Sequence, residues 1–528
     1  MAHFIVVGGG SAGCVVAARL SENPNVSVVL LEEGPRDINP YIHLPVGFYK
    51  TSQGNLVEHY PWQPAPDFTG PANPTMVQAR VLGGGGSVNA MVYLRGQPAD
   101  YDAWADSGAS GWAYKDVLPF FLKHEANDRF KNAFHNDTGP VGVTDQRYTH
   151  PLARLWVQAC QEAGLPFNPD FNSGTQDGCG FYQINARDGR RSSTSVAYLK
   201  AARKRPNLQI KTGAKVLRIL IEKGRAIGVK YVQNGKVETA YAESEVIVSA
   251  GAINSPKLLM LSGIGAASHL ETQNIKSVVD LPGVGQNLQD HIEVSIINEL
   301  NTSLSYDKYK KPHWKALAGL QYLLFKNGPA SSNIVEGGAF WRSSLAEGRA
   351  DAQYCFMAGA GVEAGVDSVP GGSGCTLNVC QTRPRSVGTV SLLSSDPGEK
   401  PRIQPNYLAD PYDVECMAEA VEYGRHIMSQ AAIARLIRRE FVPSVPLHTR
   451  EDYRAFVKAN AHGALHPVGT CKMGSDKMAV VDSQLRVHGL EGLRVIDNSV
   501  APNLCSSNTN AMAIMIGEKG SHHILSPS

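Results

Sequence analysis

The opening stretch of the chain constrains the fold most. Residues 3–7 (His3-Phe4-Ile5-Val6-Val7) form a short run of the buried-strand type, and Gly8-Gly9-Gly10-Ser11-Ala12-Gly13 follows at once. A helical run then extends to about Asn23, and a second apolar run, residues 26–31, ends on Glu32. Strand, glycine-rich turn, helix and a strand closed by an acid, in that register, make a βαβ dinucleotide site. In such a site Gly8 permits the tight turn, Gly10 lets a pyrophosphate approach the backbone and Gly13 lets helix pack on strand. Glu32 is placed to accept hydrogen bonds from an adenosine ribose and would repel a 2′-phosphate, which disfavours NADP. Taken alone, a Gly-x-Gly-x-x-Gly string also describes a plain glycine turn; the strand, helix and acid in register argue for the nucleotide.

A chain of 528 residues exceeds one ordinary core, so two domains or one elaborated domain are expected. With 43% hydrophobic and 19% charged residues it is a globular composition, and a net charge of +2 lacks the basic footprint of a nucleic-acid binder. The substrate is therefore expected to be small. The nine cysteines show no CxxC pair, zinc spacing or haem-attachment motif, and read as the reduced thiols of a cytoplasmic enzyme. The N-terminus runs straight into its first strand without a signal-type segment, and no apolar run approaches the roughly 18 residues of a membrane span. Peripheral contact with a membrane stays open. His462 and His466 stand four apart without a third ligand, so no metal site is expected.

Residues 35–78 are rich in Pro, Gly and aromatics, an irregular stretch of the kind that forms a lid or a cofactor wrap. Residues 80–93 carry Gly83-Gly84-Gly85-Gly86 and then Ser87-Val88-Asn89-Ala90-Met91-Val92-Tyr93, where bare backbone can lie against a flat ligand. The other reading is a flexible linker, against which the apolar flanks argue. Residues 207–250 alternate in the β manner, from Leu208-Gln209-Ile210-Lys211 through to Glu245-Val246-Ile247-Val248-Ser249, and predict an antiparallel meander returning to a core strand. A helix is expected after it, with Ser255 as cap and Pro256 at its first position. Residues 300–460 mix strands such as 376–380 and 388–392 with a helix at 411–428, as the core of a second domain.

These motifs resemble the glucose-methanol-choline (GMC) oxidoreductase family along the whole chain. Residues 80–96 match its first signature, and residues 251–265, beginning Gly251-Ala252-Ile253-Asn254-Ser255-Pro256, its second. Residues 281–291, ending Asn287-Leu288-Gln289-Asp290-His291, are a further family block. His466-Pro467-Val468-Gly469-Thr470 and Asn508-Thr509-Asn510-Ala511-Met512 complete the set. Segments around Pro45-Val46-Gly47, 333–341 and 362–370 are most similar to the L-sorbose dehydrogenase branch, with choline dehydrogenases also alike.

The resemblance implies an α/β plus α+β architecture. It comprises a Rossmann-like FAD-binding domain assembled from segments 1–160, 206–298 and 461–528, and a substrate-binding domain of an antiparallel sheet covered by helices from 161–205 and 299–460. The cofactor implied is FAD. Val88 stands where some relatives carry the histidine that bonds flavin covalently, so non-covalent binding is expected. His466 occupies the catalytic-base position and Asn510 the second catalytic position, where its amide would orient the alcohol. Contacts to FAD are implied for Gly8, Gly10, Ser11, Ala12, Gly13, Glu32, Glu33, Gly83, Gly84, Asn89, Ala90, Met91, Val92, Val216, Asp497, Asn498 and Thr509. The helix after Thr509 would point its N-terminus at the flavin pyrimidine edge. Where relatives read Ala-Ser-Val-Met-Pro-Thr after Asp497, this chain has Asn498-Ser499-Val500-Ala501-Pro502-Asn503, which alters the local flavin contacts.

The reaction implied is oxidation of a sugar, polyol or simple alcohol by hydride transfer to flavin. Electrons then pass to a quinone or artificial acceptor, or to oxygen if the enzyme is an oxidase. The family also holds hydroxynitrile lyases, in which bound FAD performs no redox turnover. Glu336 and Tyr354 are candidate pocket residues; for Glu336 a salt-bridged structural role is an equal reading. Tyr306, Trp314, Phe340 and Trp341 suit a hydroxylated or an aromatic alcohol equally well.

Overall fold

A computed structural model describes residues 1–64, 69–70, 74–361 and 368–526. Most of the segment 362–370, likened above to the sorbose dehydrogenase branch, lies outside the described residues.

The first sheet is built around the N-terminal strand. Ala2–Val7 pairs in parallel with Val28–Glu32 on one side and with the end of Lys236–Val248 on the other. Leu493–Val495 adds a further parallel strand beside Val246–Val248. Buried on both faces, these strands are continuous apolar runs, as parallel sheets require. The 13-residue strand Lys236–Val248 has two characters. Its first half alternates exposed and half-buried residues and pairs antiparallel with Arg225–Gln233, which in turn pairs with Ala214–Glu222. Its last residues enter the parallel core.

Leu208–Thr212 departs from the expected meander. It pairs in parallel with Val28–Glu32, Leu208 opposite Val28 and Thr212 opposite Glu32, so the meander proper begins at Ala214. The helix expected after Ser255 also begins earlier, spanning Gly251–Leu261 with Pro256 inside it. The cap comes from far along the chain: Asp497 accepts from the Gly251 amide at 2.9 Å and from the Ser255 hydroxyl at 2.6 Å. A proline inside a helix leaves the carbonyl four residues earlier without its N–H. Here that carbonyl, on Ala252, accepts instead from the Thr470 hydroxyl at 2.6 Å.

The C-terminal helix, Asn510–Leu525, lies against Ser11–Leu20. A Cβ on Gly517 would stand 3.0 Å from the Ala12 carbonyl, so glycine lets the two helices approach closely. Buried Glu518 ties the two helices through Arg19 at 2.7 Å and takes a bond from the Tyr198 hydroxyl at 2.6 Å. The end of the chain is thereby brought to its beginning.

The second sheet is antiparallel throughout. Its order is Ile437–Val442, Ile292–Leu300, Gly374–Gln381, Ala352–Met357, Val335–Trp341 and Gly178–Phe181, with His462–Gly463 added beside Ile292–Leu300. Helices Pro151–Glu162 and Pro411–Met428 pack on it, Trp156 stacking on Phe356 with ring centroids 5.3 Å apart. The second helix has its expected bounds and is capped by Asp410, which accepts from the Tyr412 amide. All nine cysteines are free.

Candidate active site

The glycine turn behaves as its spacing predicts. Gly8 has φ +98°, and a Cβ there would lie 2.4 Å from the Ser249 carbonyl; a Cβ on Gly13 would lie 2.0 Å from the Gly8 carbonyl. A Cβ on Gly10 would approach nothing nearer than 3.8 Å, so that glycine faces open space. The second glycine segment packs onto the first: the Gly83 amide donates to the Gly9 carbonyl at 2.7 Å, and Gly84, at φ +55°, leaves no room for a Cβ beside the Gly10 Cα. Ser11 joins three distant segments. Its Oγ accepts from the Gly86 amide at 3.3 Å and from Asn510 Nδ2 at 2.8 Å.

Glu32 is buried and held by two backbone donors, the Gly9 and Gly34 amides, both at 2.7 Å. Desolvation raises its pKa, against those two bonds. Glu33 points outward and pairs with Lys215 at 3.4 Å, which brings the strand carrying Val216 alongside. Asp497 braces Gly251 and Ser499, and Asn498 Nδ2 reaches the Thr509 carbonyl at 3.3 Å. Asn89 Oδ1 accepts from the Met91 amide and from Arg191; the Ala90 carbonyl accepts from Asn333; Val92 bridges to Ile184.

His466 sits at the junction of the two sheets, partly accessible, within a chain of oriented hydrogen bonds. Its backbone amide donates to Asp290 at 2.7 Å, and Asp290 also accepts from the Tyr407 hydroxyl; burial pushes that carboxyl up to about 7. The His466 ring meets two partners, His291 Nδ1 at 3.0 Å from its Nδ1 and Asn508 Nδ2 at 3.1 Å from its Nε2. His291 Nε2 lies 2.9 Å from the Cys505 carbonyl, an acceptor only, so that nitrogen carries the proton. Burial lowers the His291 pKa to about 4, so its Nδ1 holds a lone pair and accepts from His466 Nδ1–H. His466 is neutral as well, its pKa pushed well below that of a free imidazole by desolvation and by His291, and its lone pair is therefore on Nε2.

A second chain fixes Asn508. Gln353 Nε2 donates to Asn508 Oδ1 at 3.2 Å and to the Tyr182 hydroxyl at 3.1 Å, and that hydroxyl donates to the Tyr354 carbonyl at 2.9 Å. The Asn508 NH2 is thus turned toward His466 Nε2.

This arrangement departs from the expected pairing of His466 with Asn510. The amide beside His466 belongs to Asn508, whereas Asn510, the first residue of the C-terminal helix, turns its side chain back to Ser11 and Gly86. Tyr354 is fully buried and donates to the Ala420 carbonyl of the Pro411–Met428 helix, away from His466. Alternation along the strand explains this, since Gln353 faces the site and Tyr354 the opposite side. Glu336 is also buried, accepting from the His150 amide, the Tyr306 hydroxyl and the Ser332 hydroxyl, with its pKa raised to about 7 by desolvation. Its role is structural, but through hydrogen bonds from neutral donors rather than the expected salt bridge, and it touches none of the His466 cluster. Residues 462–466 do not form a helix, so His462 and His466 share no helical face. His291, Asn508, Gln353 and Arg191 had no role in the sequence reading, although the block ending in His291 was itself conspicuous.

The residues present fit FAD. Both helices that converge on Ser11, Ser11–Leu20 and Asn510–Leu525, begin without a side-chain cap or an acid in the first turn, leaving their amides to an anion. Cβ atoms on Gly85 and Gly251 would meet nothing within 4 Å, so both glycines face open space. Next to Gly86 and Asn89, the buried Arg191 pairs with no carboxylate among the described residues. Its Nη2 has no partner, and desolvation lowers its pKa to about 9.

Comparison with known proteins agrees. The GMC oxidoreductase family model matches residues 2–293 and 384–517. The chain is 40% identical to the alcohol dehydrogenase [acceptor] of Pseudomonas putida, over 99% of this chain and 96% of that one. It is 40% identical to the mitochondrial choline dehydrogenase of Mus musculus, over 98% of this chain and 88% of that one. Among solved structures, pyridoxine 4-oxidase from Mesorbium loti superposes with a TM-score of 0.89 at 29% identity, covering 99% of both chains. Formate oxidase of Aspergillus oryzae RIB40 superposes with 0.93 at 25% identity, covering 99% and 98%.

Proposed function

This chain belongs to the GMC oxidoreductase family, and from that premise we propose that it is an alcohol dehydrogenase passing electrons to an acceptor other than oxygen. It is an FAD-dependent oxidoreductase acting on CH–OH groups. When bound, FAD supplies the acceptor for the hydride of the alcohol carbon. The observation that carries the reading of the site is the His466 Nε2 lone pair, held in place from both sides. Cys505 and His291 fix the proton on Nδ1, and Gln353 turns the Asn508 amide toward Nε2.

An alcohol entering there gives its hydroxyl proton to His466 Nε2 and takes a bond from Asn508 Nδ2 on its oxygen. As the hydroxyl proton leaves, oxygen gains negative charge, and a donor already aimed at it stabilises that charge without reorganisation. Asn508 cannot take the proton, so the acid–base chemistry falls to His466 alone. Val88 offers no nucleophile to the flavin, so the cofactor is held non-covalently by the two glycine segments, Glu32 and the two uncapped helices.

Replacing Asn508 by alanine is expected to slow anaerobic flavin bleaching by about tenfold, the weight of one hydrogen bond to a developing charge, with flavin content unchanged. An unchanged rate removes Asn508 from the site.

The dehydrogenase reading follows the alcohol dehydrogenase [acceptor] relative at 40% identity, whereas oxygen-dependent choline dehydrogenases match at the same identity and the pyridoxine 4-oxidase and formate oxidase structures match at 29% and 25%, so oxygen is the rival acceptor. The discriminating measurement adds sorbose, other polyols, choline, benzyl alcohol, glycols and simple alkanols to the yellow protein without oxygen and then admits air. We expect one class of alcohol to bleach the flavin and air to restore it slowly. Fast recovery with peroxide makes the enzyme an oxidase. Bleaching by dithionite but by no alcohol turns the reading toward a lyase.

A further inference from the structure

The helix Pro312–Phe325 stands on the outside of the molecule with almost nothing over it. Of its residues only Ala318 and Tyr322 are buried, and Tyr322 anchors it by donating to the Gly189 carbonyl at 2.9 Å. Leu317, Leu320, Leu323, Leu324 and Phe325 are each 54–69% exposed, and Trp314 is 40% exposed. Single exposed leucines are ordinary, but five contiguous large apolar side chains on one helix are not. Trp314, a candidate for the substrate pocket on sequence alone, belongs to this outer surface.

The charge of the segment is one-sided. No Asp or Glu occurs between Asp307 and Glu336, while Lys308, Lys310, Lys311, Lys315 and Lys326 flank the helix or lie on it. Lys310 is committed to Asp307 at 2.7 Å, but Lys311 and Lys315 make no ion pair among the described residues. Lys308 lies 5.6 Å from the centre of the Trp314 ring, placing the aromatic ring where the apolar surface gives way to the basic one. Exposed leucine and phenylalanine, a tryptophan at the boundary, lysines and no acids are the composition that settles at the surface of an anionic bilayer. A protein partner's interface would carry no need for this uniform sign.

We propose that Pro312–Phe325 docks the enzyme on an anionic lipid surface, its leucines and Phe325 entering the headgroup boundary and its lysines meeting lipid phosphates. The surface connects with the site: a few residues beyond Phe325 the chain passes through Pro329–Ser331 to Asn333, whose Nδ2 donates to the Ala90 carbonyl of the second glycine segment. No helix among the described residues is long and apolar enough to cross a membrane, so the contact is peripheral.

The test is flotation of the FAD-loaded enzyme with vesicles of phosphatidylcholine alone or mixed with phosphatidylglycerol, alongside sedimentation without lipid. The enzyme should float with the mixed vesicles, less so with phosphatidylcholine alone and less at high salt. The double variant Leu320→Glu/Leu324→Glu should bind at least tenfold more weakly. The variants Lys311→Gln and Lys315→Gln should each lose roughly fivefold on the anionic vesicles only. All should keep wild-type flavin content and bleaching by a water-soluble alcohol, since none of these residues touches the site. Failure of the wild type to float, or undiminished binding by Leu320→Glu/Leu324→Glu, overturns the proposal. A dimer in sedimentation that Leu320→Glu/Leu324→Glu dissociates, with vesicle binding unchanged, assigns the face to a second copy of the chain instead.

Discussion

Replacing His466 by alanine should slow the anaerobic bleaching of the flavin by an alcohol by about 10²–10⁴-fold, the usual weight of a positioned general base, in a protein that remains yellow. The size follows from the surroundings of the ring. Around Nε2, the neighbours with recorded contacts are Asn508, which is neutral and acts here as a donor, and behind it Gln353, also neutral. His291 presents a lone pair to the far nitrogen and is itself shielded behind His466. Asp290 is engaged by the His466 amide and Tyr407. With the imidazole gone, none of these groups is placed to accept the hydroxyl proton, and water must. Because the glycine segments, Glu32 and Arg191 are untouched, FAD content should not change. Added imidazole should restore part of the rate by entering the space left. Bleaching at the wild-type rate would remove His466 from the chemistry, whereas a colourless variant would show that the residue holds the fold rather than the proton.

What could be read from the sequence divides along the range of the interaction responsible. The turn at Gly8 and Gly13 was legible because each of these glycines answers to a neighbour within the same βαβ unit or the strand beside it. The Pro411–Met428 helix was legible because its cap, Asp410, lies next to it. Leu208–Thr212 was not: alternation predicts a strand but carries no information on its partner, and the partner is Val28–Glu32, far back in the chain. The start of the helix at Gly251 was hidden for a similar reason, since its cap is Asp497 and the carbonyl that Pro256 leaves unpaired is satisfied by Thr470.

In the site itself, residue type was readable and direction was not. Asn508 and Asn510 are chemically the same and two positions apart; which one meets His466 depends on where the helix begins, and with Asn510 as its first residue the two amides point to opposite sides. Gln353 and Tyr354 repeat the lesson on a strand, where a step of one residue exchanges the faces. His291 was invisible as a participant because its contribution passes through another ring, and only the distance between the two Nδ1 atoms reveals it.

That distance leads to the second large effect. Replacing His291 by leucine should slow alcohol-driven bleaching by about 10²-fold, although His291 is placed to touch neither alcohol nor cofactor. It is a positioning residue, accepting from His466 Nδ1–H and so keeping the lone pair on Nε2. Leucine cannot accept, and the proton becomes free to sit on Nε2, the nitrogen that must receive the hydroxyl proton; holding a histidine in the wrong tautomer costs a hydrolytic triad about 10⁴-fold. The pH profile separates this role from simple packing. In the wild type the His466 pKa lies well below the roughly 6.5 of free imidazole, so the base is neutral and kcat/KM is flat through neutral pH, falling only on the acid side. His291 is one cause of that lowering, so its loss raises the His466 pKa and moves the acid limb of the profile upward. His291→Asn, which restores an acceptor oxygen near the same place without a titratable ring, should recover most of the rate. A His291→Leu enzyme that loses rate with an unmoved acid limb, and that His291→Asn does not rescue, would mean that the ring only fills space.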